Sequence, residues 1–183
     1  MKLHYIGLAM AGLFMAASPA QATITGNIDA TITLTAACKI NDTLTPDGTT
    51  GVDFGDINFG SQNTYFVTAD AQLVGSLGNG IKLQCSNGIT PVISFAGGNN
   101  AGTGTSNTGT TGARSMKHVS ATNYVTYNLY SDSSGGTIIP VNGTISLLSD
   151  GSVQTVPVFG RAFGANGLIT GDYSDVVVVT ITL

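Results

Sequence analysis

Residues 24 to 34 alternate apolar and polar without a break. Ile24, Gly26, Ile28, Ala30, Ile32 and Leu34 fall on one side, and Thr25, Asn27, Asp29, Thr31 and Thr33 on the other. Successive side chains of a strand point to opposite faces, so this segment predicts one extended strand with an apolar ridge and a polar ridge. At about 3.3 Å per residue it spans roughly 36 Å. The C-terminus repeats the pattern, with Val177, Val179, Ile181 and Leu183 on one ridge and Val178, Thr180 and Thr182 on the other. Between them, short apolar runs bounded by Gly, Asn, Asp or Pro predict strands over 38–44, 52–59, 65–73, 80–86, 90–96, 123–131, 144–148, 154–163 and 176–183. Closely spaced short strands of this kind read as an antiparallel sandwich in a single all-β domain.

The two ends pose a problem of edges. A terminal strand as apolar as Val176 to Leu183 is expected to pair on both sides, because bare edges invite aggregation. No sequence follows Leu183 to supply a second neighbour, so the sheet is expected to be one strand short while the 24–34 segment is a strand to spare. In an immunoglobulin-type topology, filling the gap in cis needs a crossover of about a dozen residues. Thr35, Ala36 and Ala37 are all that separate Leu34 from Cys38. Insertion into a second copy is then the open route. It makes a head-to-tail contact, which builds a fibre when it does not close. A one-residue slip would turn Thr and Asp inward, so the register should be tightly set.

Composition sharpens this picture. The chain has 183 residues, 25 Gly, 25 Thr, no Trp and no Glu, a content that favours strands and turns over helices. Residues 1–22 read as a signal peptide: Lys2, an uncharged run from Ile6 to Ala17, the Ser18-Pro19 break, then Ala20-Gln21-Ala22 at the cleavage position. Cleavage there leaves 161 residues (183 − 22), and loss of Lys2 takes the formal charge from −4 to −5. Five remaining Lys and Arg cannot form a phosphate-tracking patch, which excludes nucleic acid as a partner. Export permits a disulfide, and Cys38 and Cys85 are the mature cysteines. Closing the 46 residues between them contributes roughly 4 kcal/mol in the chain-entropy picture. Residues 97–113 are low-complexity Gly, Thr and Asn, expected as a mobile surface loop.

No catalytic, cofactor or metal constellation emerges. Asp53/Asp56 and Asp172/Asp175 have a spacing that carboxylate catalysis or calcium could use, but they sit beside turn glycines, where Asp caps and bends backbone. His118 reads as a lone surface histidine. Gly102-Thr103-Gly104 lacks the strand and helix that a phosphate loop needs. Arg114 and Arg161 are expected to pair with Asp175 or Asp132, or to contact another subunit. Tyr124, Tyr127 and Tyr130 step by three along a strand and so alternate faces. Asn41-Asp42-Thr43 and Asn142-Gly143-Thr144 match a glycosylation pattern that matters only in a eukaryotic secretory pathway.

An ordered set of local patterns resembles the spore coat protein U family, and within it the major subunit of archaic chaperone–usher pili of the Csu type. The set runs from Cys38 through Phe54-Gly55, Gly80-Ile81-Lys82-Leu83-Gln84-Cys85, Arg114-Ser115-Met116 and Tyr127-Asn128-Leu129-Tyr130-Ser131-Asp132. It continues with Val158-Phe159-Gly160-Arg161 and Gly171-Asp172-Tyr173-Ser174-Asp175, and ends on the Val177, Val179, Ile181 ridge. The resemblance implies an incomplete immunoglobulin-like sandwich, residues 36–183, completed by donor-strand insertion from a neighbouring subunit.

In that reading residues 23–35 carry the donor strand, with Ile24, Gly26, Ile28, Ala30, Ile32 and Leu34 as its inserted ridge. Val177, Val179, Ile181 and Leu183 form the acceptor-groove strand. The implied partners are a periplasmic chaperone anchoring the Leu183 carboxylate, an outer-membrane usher, other pilus subunits and further copies of this chain. The implied role is a non-enzymatic pilin in an extracellular pilus serving surface attachment and biofilm formation. The 97–113 loop matches no family motif. Two rivals stand beside it: a secreted monomeric β-sandwich that coats or binds carbohydrate, with 24–34 packed in cis, and a secreted hydrolase using an Asp pair.

Overall fold

The computed structural model describes residues 23–106 and 113–183. The signal peptide expected over 1–22, and residues 107–112 of the expected loop, lie outside the described residues. The chain divides into two units, 1–33 and 34–183. In the first, residues 23–33 have no regular secondary structure, and Ile24, Ile28 and Ile32 are exposed.

The second unit is built of strands. In chain order these are β1 (Ala37–Ile40), β2 (Thr43–Pro46), β3 (Asp56–Ile57), β4 (Thr68–Gly75) and β5 (Gly78–Asn79). Next come β6 (Ile81–Cys85), β7 (Val92–Phe95), β8 (Arg114–His118), β9 (Tyr124–Tyr130) and β10 (Ile138–Ile139). The last are β11 (Gly143–Ser146), β12 (Gln154–Val156), β13 (Phe159–Phe163), β14 (Tyr173–Ser174) and β15 (Val179–Thr182). They form three sheets, ordered β12-β6-β1-β2, β14-β8-β9-β13-β4-β3 and β11-β7-β15, with β10 on β9 and β5 on β4. The pairings are antiparallel, as in β1–β6, β13–β4 and β15–β7. All three sheets send side chains into one core. Ile40 and Leu83 come from the first, Leu73, Val125 and Leu129 from the second, Ile93 and Phe95 from the third.

Several expected strands are corrected. The run 38–44 is a hairpin, because Asn41 and Asp42 both take positive φ (48° and 62°) and reverse the chain between Ile40 and Thr43. The run 154–163 is two strands. β12 pairs with β6, and β13 with β4 and β9. Pro157, which has no N–H to give a ladder, sits where the chain changes sheets. Of 52–59, just Asp56–Ile57 pairs, with Val74 and Leu73. Gly55 permits the bend before it: its φ is 114°, and a Cβ there would lie 2.5 Å from the Val74 carbonyl. β8 has no counterpart among the expected strands, because Arg, Ser, Lys and His in five positions hide the strand pattern.

Candidate functional site

Among the described residues the C-terminal strand has one neighbour. β15 pairs with β7, Val179 opposite Phe95 and Ile181 opposite Ile93, and among the described residues no strand pairs on its other side. Ala96 donates its N–H to the Val178 carbonyl at 2.9 Å, which makes Val178 a hydrogen-bonded position of the ladder. Antiparallel alternation then turns the backbone of Thr180 and Thr182 toward β7, and that of Val177, Val179 and Ile181 toward the open edge. The same three residues point their side chains inward. They are half-buried, while Val176, Val178, Thr180 and Thr182 are exposed.

An apolar cleft of about 830 Å³ runs along this edge. Val177, Val179, Ile181 and Leu183 line it, together with Val52, Phe54 and Ile57 from the stretch before and within β3 and the buried Phe95, Leu129 and Val158. The residues expected to form an acceptor strand therefore all line one cleft. Of the expected donor residues, Ile24, Gly26, Ile28, Ala30 and Ile32 belong to the first unit, and Leu34, also exposed, begins the second. The expected disulfide is present. Cys38 and Cys85 are direct register partners across β1 and β6, with Cα atoms 4.0 Å apart. Cys38 also lines the cleft.

A polar cluster closes in just before the cleft strand. Asp175 Oδ2 accepts the Tyr127 hydroxyl at 2.8 Å, and Oδ1 accepts the Asn99 N–H at 2.8 Å. Burial first, and the Asp175 carboxylate second, push the Tyr127 phenol up, so it stays a donor. Arg114, 0% exposed, is not paired with Asp175 or Asp132 as expected. Its guanidinium donates to the carbonyls of Ala96 (2.9 Å), Ile139 (2.9 Å), Phe95 (3.1 Å) and Pro140 (3.1 Å). It thereby satisfies backbone oxygens at the ends of β7 and β10. Burial pulls its pKa down, and the charge of the nearby Asp175 carboxylate opposes that.

Other expectations are revised too. Arg161 grips Asp70 with two bonds, 2.6 and 2.7 Å, across β13 and β4. Asp132 instead caps its own turn, accepting from Ser133 and Thr137. His118 is buried: Nδ1 accepts the Ser120 N–H at 3.0 Å, Nε2 lies 3.2 Å from the Thr170 carbonyl, and the ring meets Tyr173 edge-on. Asp53 accepts from the Gly55 N–H, the turn-bending role expected of it. Among the described residues no group of three His, Cys, Asp or Glu could hold a metal ion. Arg114 and Tyr127 are both singled out in the sequence, but their partners carry no local signal, since these come from distant parts of the chain.

A family model described as Spore Coat Protein U domain matches residues 24–180. Protein U of Myxococcus xanthus is 29% identical over 191 residues, covering 99% of this chain and 97% of that protein. Among solved structures, the chain is similar to one from the CsuC–CsuE chaperone–tip adhesion subunit pre-assembly complex of archaic chaperone–usher Csu pili of Acinetobacter baumannii. The match has a TM-score of 0.50 and 18% identity, and covers 82% of this chain and 41% of that one. At that identity the likeness is one of fold.

Proposed function

The chain belongs to the Spore Coat Protein U domain family, and from that premise we propose that it is a structural pilin subunit that polymerises by donor-strand complementation. The observation that carries this reading is the open edge of β15 above an apolar cleft. An extended segment laid there gains backbone bonds along Val177, Val179 and Ile181 and buries an apolar ridge, the recognition mode of β-strand addition. Residues 24–34 supply such a ridge. They are exposed and have no strand pairing among the described residues, and the three residues Thr35 to Ala37 are too short a crossover to fill the gap in cis, so a second copy provides the occupant. The contact is head-to-tail and propagates as a fibre.

Export through the periplasm precedes assembly. A chaperone holds the subunit at the cleft and at the Leu183 carboxylate, an usher exchanges it for the next subunit, and the polymer serves attachment and biofilm formation outside the cell. As a domain carrying its own donor segment, the chain suits the shaft of the pilus as its major subunit, with no enzymatic activity. The test is secretion of the chain lacking Thr23 to Thr35. The expected result is a disulfide-bonded domain that joins no multimer, against a ladder of heat-dissociable multimers from the full mature chain. Normal fibres from the truncation overturn the donor assignment.

The family's description as a Spore Coat Protein U domain suggests one second reading, a monomeric coat component. It predicts a single species on the same gel for both chains.

A further inference from the structure

The structure assigns Asn166 as a site of spontaneous self-modification, conversion through a cyclic imide to aspartate and isoaspartate. This inference is independent of the polymerisation reading. The chemistry needs an asparagine followed by a residue whose backbone nitrogen can reach its side-chain carbonyl unhindered, and glycine is the least hindered successor. Four Asn-Gly pairs occur: Asn79-Gly80, Asn87-Gly88, Asn142-Gly143 and Asn166-Gly167. The peptide nitrogen attacks only after losing its proton, so a glycine N–H already bound to a carbonyl is both less acidic in effect and held out of line.

Three of the four are held in this way. Gly80 donates to Leu73 O at 2.8 Å, Gly88 to Ser149 O at 2.7 Å and Gly143 to Pro140 O at 2.9 Å. Asn79 is held again through its own amide, which donates to Gln72 Oε1 at 2.9 Å. The fourth differs. The Gly167 N–H has no partner among the described residues, and that alone sets the site apart from Asn87-Gly88: both asparagines are exposed in turns, and a Cβ added at Gly88 or at Gly167 would meet nothing within 4 Å, which leaves room for the ring.

The step balances without a co-reactant beyond water. The Gly167 nitrogen forms a bond to Asn166 Cγ, and the side-chain nitrogen leaves as ammonia with the proton that Gly167 gave up. Water then opens the imide at either carbonyl. Opening at one leaves an ordinary aspartate in a normal backbone; opening at the other routes the main chain through the side chain. Both add a negative charge. The second also lengthens the backbone beside the Gly167 carbonyl, which accepts from Asn123 Nδ2 at 3.1 Å. Asn123 in turn accepts the hydroxyl of Tyr173, a residue that lines the cleft.

The test is peptide mapping by mass spectrometry of the folded, disulfide-bonded mature chain, incubated in mildly alkaline buffer at body temperature. Expected is exchange of NH for O at Asn166 first, about fivefold ahead of Asn87 and Asn142, the factor set by opening one hydrogen bond. A second arm repeats the incubation on reduced chain in urea, where the four sites should converge. Another asparagine converting first, equal rates in the folded chain, no conversion at Asn166, or an undiminished Asn166 lead in urea each overturns the assignment.

Discussion

The Tyr127 hydroxyl donates to Asp175 Oδ2 at 2.8 Å and so ties the middle of β9 to a residue two positions before Val177, where the cleft strand's inward ridge begins. Asp175 also accepts the Asn99 N–H, so one carboxylate joins β9, the loop after β7 and the approach to β15. Gly98 is shaped for this contact: its φ is 77°, and a Cβ there would collide with Asp175. Tyr127→Phe removes the hydroxyl and leaves the carboxylate one donor short. A loss of about 1–3 kcal/mol is expected in urea unfolding, with an unchanged slope.

Arg114→Met should cost more, about 3 kcal/mol or above, because four carbonyls lose a donor and two of them, on Phe95 and Ile139, belong to buried residues. Arg114→Lys keeps the charge but not the planar fork, and an ammonium cannot reach all four oxygens in their fixed arrangement. Its midpoint is expected to fall close to that of Arg114→Met. A Lys variant as stable as the parent chain overturns this account.

Acidification should weaken the β4–β13 contact. Hydrogen bonding to Arg161, with its charge behind, holds the Asp70 carboxyl below the usual carboxylate range against a smaller opposing effect of burial. A depressed folded value means the stabilisation is present above the unfolded pKa of about 3.9 and lost as pH falls through the folded one. Asp70 is 46% exposed in its side chain, so screening keeps the effect under about 1 kcal/mol. Stability measured across this acid range should show a shallower fall for Arg161→Ala than for the parent chain.

Ile28→Asp and Ile32→Asp each place a carboxylate on the ridge proposed to enter a second copy's cleft. Burying it unpaired costs several kcal/mol, enough to block assembly. Capture by a periplasmic chaperone should persist, because in the proposed complex the chaperone takes the cleft and not the ridge. Co-purification with the chaperone, alongside a gel of heat-dissociable multimers, reads both outcomes. Asp introduced at Thr31 or Thr33, on the polar ridge, is the control and should assemble.

How much was legible in the chain depends on the range of the interaction. The alternation over 176–182 recurs as half-buried and exposed positions along the last strand, because the two-residue period is a local property of extended backbone. Turn glycines and the Asp53 bend were legible for the same reason. The hairpin at Asn41–Asp42 had a local signal that a run of strand-forming residues masked. The change of sheet at Pro157 also had its marker in the missing N–H, yet which sheets the two halves join is a matter of partners far away.

The amino-acid sequence by itself determined the all-β class, the alternation of the last strand and the cysteine pair, since a two-residue period and the number of cysteines need no knowledge of neighbours. The tertiary structure decided the rest. It set Arg114 among four carbonyls, gave Arg161 to Asp70 and buried His118. It left β15, among the described residues, with β7 on one edge and an 830 Å³ cleft on the other. The physical reason is that a buried charge or an unpaired edge is defined by what the fold brings beside it, and those groups lie tens of residues away along the chain.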